Sequence, residues 1–182
     1  MLAALRVDYR AVAPDVEELR EGGAPEDLVV ENARRKALAG LQLASAEPDE
    51  RSLGVDTEVV LDGRILGKAA DGAQARERLR ALSGRTHEVL GGVALVGGER
   101  PALTGVARSR VTFAELDDAI LERYLASEEW RDRAGAYAIQ GLGSLLIDRV
   151  DGDFANVVGL PLRLLVELAP DLFPANRGTP RG

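Results

Sequence analysis

Leu53-Gly54-Val55-Asp56-Thr57-Glu58-Val59-Val60-Leu61-Asp62-Gly63-Arg64-Ile65-Leu66-Gly67-Lys68 is the stretch from which the fold is read. Leu53 to Val60 is an aliphatic, β-branched run that suits a buried strand. Asp62-Gly63 then supplies the dipeptide preferred by tight hairpin turns, and the chain returns through Arg64, Ile65 and Leu66 toward Lys68. A hairpin here brings Asp56 and Lys68 near one another.

Outward from that hairpin the chain alternates helices and strands. On the N-terminal side, Pro25 to Leu43 reads as a helix: proline suits the first turn, Glu26 and Asp27 follow it, and Val29, Ala33 and Ala37 recur every fourth residue. Lys36 lies on that helix, and Pro48 to Ser52 is polar punctuation. On the C-terminal side, Asp71 caps a helix to Leu82 whose face is Ala75, Leu79 and Leu82. Thr86 to Val96 and Leu103 to Phe113 read as a second hairpin around Gly97-Gly98, the later strand alternating through Ala107, Ser109, Val111 and Phe113. Leu116, Ile120 and Tyr124 mark a short amphipathic helix, followed by a polar loop carrying Trp130. Gly135, Gly141 and Gly143, spread through Ala134 to Gly143, imply backbone brought close to a ligand or another strand. Leu145 to Val150 is a strand candidate, and Gly159-Leu160-Pro161 opens a last helix through Leu162, Leu165 and Leu168. The pattern predicts an α/β domain over 1–173, with a long mixed β-sheet flanked by helices and a disordered tail over 174–182.

Composition narrows the classes of function. At 182 residues, with 46% hydrophobic and 29% charged residues, the chain suits one globular domain. A net charge of -7 argues against a nucleic-acid partner and requires any phosphate site to be local. With no cysteine and a single His87, thiolate zinc sites and histidine clusters are excluded. No segment reads as a membrane span or a secretory signal, so the expectation is a cytoplasmic protein without a membrane partner.

Acids Glu17, Glu18, Asp56 and Glu58, lysines Lys36 and Lys68, and the glycine-flanked Gln140 could together make a phosphate site. Splitting a phosphoanhydride requires a divalent ion, carboxylates to hold it, and cations to steady the departing pyrophosphate. No phosphate-binding glycine loop of the P-loop type is present, and spacing alone identifies no acid pair. Taken singly, Lys68 reads equally as a solvated hairpin charge, His87 as a structural hydrogen-bonding residue, Arg85 as a solvated arginine and Trp130 as a packing or dimer-contact residue.

Order adds what spacing lacks. Gly54-Val55-Asp56-Thr57, then Asp62-Gly63-Arg64-Ile65-Leu66-Gly67-Lys68, Leu82-Ser83-Gly84-Arg85-Thr86-His87-Glu88-Val89, Ala134-Gly135-Ala136-Tyr137-Ala138-Ile139-Gln140-Gly141 and Asn156-Val157-Val158-Gly159-Leu160-Pro161 are similar to the consecutive motifs of the Maf family of nucleotide pyrophosphatases. The match runs from about Leu2 to Leu168. The resemblance implies hydrolysis of nucleoside triphosphates to monophosphate and pyrophosphate, with a divalent metal cation, Mg or Mn, as cofactor. It implies that Asp56 is the central carboxylate, either binding the metal or activating the attacking water. Glu18, within Asp15-Val16-Glu17-Glu18, matches a second acid near the metal. Lys36, within Asn32-Ala33-Arg34-Arg35-Lys36-Ala37, and Lys68 match the cations that hold phosphates, and Gln140 a residue contacting the base. Asp56-Thr57 and Gln140-Gly141 look like the branch preferring dTTP, UTP and modified uridine triphosphates, which gives Thr57 a place in the site; 7-methyl-GTP, linked to the other branch, is the alternative substrate.

The family opens with a strand and a Ser-x-Ser-Pro-Arg-Arg phosphate-binding loop, whereas Met1-Leu2-Ala3-Ala4-Leu5 matches the end of the helix that follows it. The expectation is therefore an N-terminally truncated version of the fold, with weakened or absent activity if the loss is real. Ala69 stands where the family usually has proline. A homodimer is implied by resemblance alone. Two functional readings result: a pyrophosphatase that removes noncanonical nucleotides from the pool, or a nucleotide-binding regulator of septum formation with little or no turnover.

Overall fold

The computed structural model describes residues 1–5 and 7–173, so the expected tail over 174–182 lies outside the described residues. A long helix, α1 (Pro25–Ala44), precedes strands β1 (Arg51–Leu61) and β2 (Arg64–Ile65). Helix α2 (Gly72–Leu82), strands β3 (Thr86–Gly97) and β4 (Leu103–Phe113), and helix α3 (Asp118–Ala126) follow. Strand β5 (Ile147–Asp151) and two short helices, α4 (Phe154–Val158) and α5 (Leu162–Leu168), come next, and short 3-10 helices lie at Leu2–Leu5, Gly141–Leu146 and Pro170–Leu172.

The five strands form one sheet in the order β2-β1-β3-β4-β5. The α/β class with helices flanking a long sheet is the one observed. The mixed strand directions expected from the sequence do not occur among the described strands, because each is joined to its neighbour as an antiparallel pair. The β1–β2 turn has Asp62 at φ 51° and Gly63 at φ 76°, the double left-handed geometry that makes Asp-Gly a hairpin dipeptide. Asp71 caps α2 by accepting from the Gln74 N–H at 2.8 Å.

Both faces of the sheet are covered. Positions 54, 56, 58 and 60 of β1 turn toward α1, and the alternate positions turn toward α2, α3, α4 and α5. The side carrying α2 and α3 packs Val59, Leu79, Leu82, Val89, Val111, Phe113, Tyr124 and Trp130 into the largest cluster. Burial on both faces explains why β3 is apolar at successive positions. Helix α1 lies close on the other face because the strands beneath it have little side chain. A Cβ on Gly54 would stand 2.0 Å from the Ala33 carbonyl oxygen, and one on Gly92 would stand 2.2 Å from that of Val29. Ala33 and Ala37 complete this close approach from the helix side. Among the described residues no helix is long and apolar enough to cross a membrane.

Candidate functional site

The outer edge of β1, turned away from β3, has a described strand partner only at Val60 and Leu61. A cavity of about 450 Å³ wraps this edge, and Glu18, Lys36, Asp56, Thr57, Lys68 and Gln140 all line it. The structure thus brings together the six residues to which the family resemblance gave a place in the site, whereas the candidate acids Glu17 and Glu58 do not line the cavity. Asp56 and Thr57 reach it from opposite faces of β1, as strand alternation requires.

Asp56, 4% exposed, is held by two residues of α1. Lys36 Nζ donates to its Oδ1 at 2.5 Å and Asn32 Nδ2 donates to its Oδ2 at 3.1 Å. Asn32 and Lys36 are four residues apart, so they share one helix face, the face laid against β1 by Gly54 and Gly92. Lys36 Nζ also donates to Glu18 Oε1 at 2.8 Å, and Lys68 Nζ donates to the same oxygen at 3.1 Å. The result is an alternating chain, Asp56–Lys36–Glu18–Lys68. Glu18 lies on a segment without regular structure, and Asn32 ties that segment down. The Leu19 N–H donates to Asn32 Oδ1 at 2.8 Å, and Asn32 Nδ2 donates to the Leu19 carbonyl at 3.0 Å. One side chain, fully buried, therefore positions both the central acid and the loop bearing the second.

Lys68 follows the hairpin and is joined to the glycine-rich segment. It forms an isolated antiparallel bridge with Ala134, and the Gly67 carbonyl accepts from the Gly135 N–H at 3.0 Å and from Arg78 Nη1 at 2.5 Å. The same segment continues through Tyr137, Ala138 and Ile139 to Gln140, forming a largely apolar wall with Val59, Val89, Val157 and Val158. The glycines act as the sequence implied: a Cβ on Gly135 would stand 2.9 Å from Val59, and one on Gly143 would stand 1.7 Å from the Ala138 carbonyl oxygen. Asn156, buried, anchors α4 by donating from Nδ2 to the Val89 carbonyl and to Ser109 Oγ, each at 3.1 Å, which sets Val157 and Val158 against the cavity.

The charges are strongly coupled. Burial pushes the Glu18 carboxyl up, but Lys36 and Lys68 outweigh it and hold it below its ordinary value. Burial likewise opposes the charge on Lys36, while hydrogen bonds to Asp56 and Glu18 hold its pKa above the ordinary lysine value. At Glu58, two residues from Asp56 and 3% exposed, the lowering effect of Arg20 and Lys36 is outweighed. Among the described residues its Oε2 has no hydrogen-bond partner, and burial, reinforced by Asp56 and Glu18, raises its pKa from 4.5 to about 7. Taking charges out of water offsets most of what pairing them returns, so this cluster is better explained by function than by stability.

Asn32 is the site residue to which sequence reasoning gave no role, and Glu58, one of the candidate acids, lies beside Asp56 without lining the cavity. Asn32 carried the signal of a poor helix former one turn before Lys36, and Glu58 that of an acid on the Asp56 face of an apolar strand. Glu17 is exposed and does not line the cavity. His87 is structural: 2% exposed, it pairs through Nε2 with the Tyr137 hydroxyl at 2.8 Å and packs edge-on against Phe113 and Tyr137. Trp130 is 4% exposed and packed in the main cluster, and Arg85 forms an exposed pair with Asp62.

Fold and site together define a class: an α/β protein with an acid–lysine chain at one end of a sheet-edge cavity and an apolar wall bearing an amide at the other. Over residues 1–172 the chain matches the family model described as Maf-like protein, and it belongs to the Maf family. It is 46% identical to a dTTP/UTP pyrophosphatase of Shewanella oneidensis over 155 residues, covering 85% of this chain and 79% of the relative. It is 40% identical to one of Pyrococcus furiosus over 144 residues, covering 79% and 74% respectively. A dTTP/UTP pyrophosphatase of Bacillus cytotoxicus is 41% identical over 167 residues, covering 91% and 85%.

Proposed function

We propose that this chain is a nucleoside triphosphate pyrophosphatase that splits the α–β phosphoanhydride of dTTP, UTP and modified uridine triphosphates. The observation that carries the reading is the position of Lys36 Nζ, held at 2.5 Å by Asp56 and at 2.8 Å by Glu18, in the same cavity as Gln140. Ammonium groups concentrated in an acidic protein suit a polyphosphate. The amide of Gln140 offers both a donor and an acceptor to a pyrimidine edge, and the apolar wall beside it suits a base.

Asp56 and Glu18 offer hard oxygen donors that converge on one cationic centre, which fits Mg²⁺ or Mn²⁺. Among the described residues no group of three or more acids or histidines gathers closely enough to hold a metal ion. Asp56 and Glu18 would hold such an ion, which would supply neutralisation of the triphosphate oxygens. Within the protein, Asp56 accepts a proton from the attacking water as the water oxygen bonds to the α-phosphorus. The bond from that phosphorus to the α–β bridging oxygen breaks, and pyrophosphate leaves with its charge held by Lys36 and Lys68. Asn32 keeps Asp56 and the Glu18 loop in register.

The test is incubation with dTTP, UTP and 7-methyl-GTP in the presence of Mg²⁺ or Mn²⁺. Equal release of monophosphate and pyrophosphate from dTTP and UTP is expected. Release of single phosphates would refute the bond assignment, a preference for 7-methyl-GTP would refute the pyrimidine assignment, and binding without turnover would refute the enzyme.

A further inference from the structure

The Gln140-Gly141 turn opens a single-stretch 3-10 helix, Gly141–Leu146, and Gln140 occupies the position from which a side chain ordinarily caps such a helix. Its side chain makes no capping hydrogen bond. The free N–H groups are satisfied instead by Glu129, from the loop after α3. The Leu142 N–H donates to Glu129 Oε1 at 3.1 Å and the Gly143 N–H donates to Oε2 at 3.2 Å. Gly141 has a φ of +68°, and a Cβ there would stand 2.6 Å from Glu129 Oε1, so the turn closes directly on the carboxylate. Glu129 itself lines the cavity.

We infer that Glu129 is a positioning residue for base recognition: by capping the helix that Gln140 would otherwise cap, it leaves the Gln140 amide free and aims it into the cavity. Three features support this division of labour. A carboxylate receives one N–H on each oxygen, so its orientation, and with it the turn, is fixed at two points. An uncapped helix start has to satisfy its N–H groups from other partners, and Gln140 occupies the position from which a side chain ordinarily does so. The backbone is packed closely at both glycines, since a Cβ on Gly141 would meet Glu129 and one on Gly143 the Ala138 carbonyl. The inference rests on the proposal that Gln140 contacts the base.

The test is a double-mutant cycle on the whole chain, with KM and kcat for dTTP measured in the wild type, Glu129→Ala, Gln140→Ala and the double variant. Glu129→Ala is expected to raise KM on the order of tenfold, equivalent to about 1.4 kcal/mol, with kcat within about twofold. On the Gln140→Ala background it is expected to change neither. Glu129→Gln, which keeps one acceptor, should fall between the wild type and Glu129→Ala. Amide hydrogen exchange supplies a readout independent of turnover, with Leu142 and Gly143 protected in the wild type and exchanging faster in Glu129→Ala. Unchanged exchange at these amides, equal KM effects on both backgrounds, or a fall in kcat at constant KM would each overturn the inference. A Gln140→Ala variant with wild-type KM would overturn the base contact and the inference together. Absence of dTTP turnover in the wild type would count against the proposed function, and the exchange measurement would still decide whether Glu129 holds the turn.

Discussion

Replacing Glu58 by glutamine is expected to stabilise the metal-free protein above about pH 7 while changing little near pH 4.5. Glu58 lies under the site without a hydrogen bond to Oε2, facing Asp56 from its own strand, Glu18 and Arg20 from the loop, Lys36 from α1 and Arg78 from α2. Its pKa rises from 4.5 to about 7 on folding. Because the folded value is the higher one, the native state holds the proton more tightly than the unfolded chain. The associated stability is fully present below pH 4.5, is lost as pH rises through about 7, and stays lost above that. At about 1.4 kcal/mol per pH decade the difference amounts to ~3 kcal/mol, a large part of the roughly 5–15 kcal/mol that stabilises an ordinary domain. Urea unfolding of wild type and Glu58→Gln in the presence of a chelator, at several pH values across this window, gives the two stability curves. Groups that titrate alike in both proteins cancel in the difference, so its growth with pH isolates Glu58. Curves that run parallel from about pH 4.5 to about pH 8 would refute the reasoning, for they would mean that Glu58 ionises in the native state as readily as in water.

Other perturbations test the remaining links. Asp56→Asn keeps the hydrogen-bonding shape but cannot take a proton, and is expected to lower kcat by about a thousandfold in a pyrophosphate-release assay; undiminished turnover would remove Asp56 from the mechanism. Lys68→Ala should raise KM for dTTP about tenfold, because a phosphate partner is lost while the Lys36–Asp56 contact is kept; an unchanged KM would place Lys68 outside the phosphate site. Gly92→Ala drives a methyl group to 2.2 Å from the Val29 carbonyl oxygen and should cost about 3 kcal/mol in urea unfolding, with loss of turnover as α1 shifts. A wild-type denaturation midpoint would show that the helix is not seated as described. His87, whose pKa burial lowers from 6.5 to about 4, contributes stability that is present above pH 6.5 and is lost as pH falls through about 4. His87→Phe should therefore flatten the acid limb of the stability curve relative to the wild type, and an equally steep limb would argue against a buried neutral imidazole.

Local signals were legible in the sequence wherever one residue type answers one backbone need. Asp62-Gly63 announced its turn, Asp71 its cap, and the four-residue spacing of Val29, Ala33 and Ala37 the face that α1 buries. Helix α4 was missed because five residues hold no periodicity, and Phe154, its one large apolar residue, is half exposed. The antiparallel sheet was not legible because strand direction depends on which neighbours meet across the sheet, and periodicity within a strand carries no such information. In the site, Asp56 and Lys68 were within reach of local reasoning because a single hairpin joins them. Glu18, Asn32 and Asp56 come together only through the seating of α1, which follows from two glycines on separate strands and a helix with alanines facing them. Glu58 shows the limit from the other side: its position on the Asp56 face could be read from parity, but its lack of a partner could not.

The alternating chain Asp56–Lys36–Glu18–Lys68 has a consequence for the order of events at the cavity. Each lysine there already has an acid for company, so on the proposed function a triphosphate arriving bare would have to strip Lys36 and Lys68 from Glu18 and leave that carboxylate stranded. A nucleotide that arrives with its divalent cation brings a replacement for both halves of every pair at once: phosphates for the ammonium groups, the ion for the carboxylates. On the function proposed above, capture would resemble a change of dancing partners with no one left standing, and the complex is expected to bind more tightly than the nucleotide without its cation.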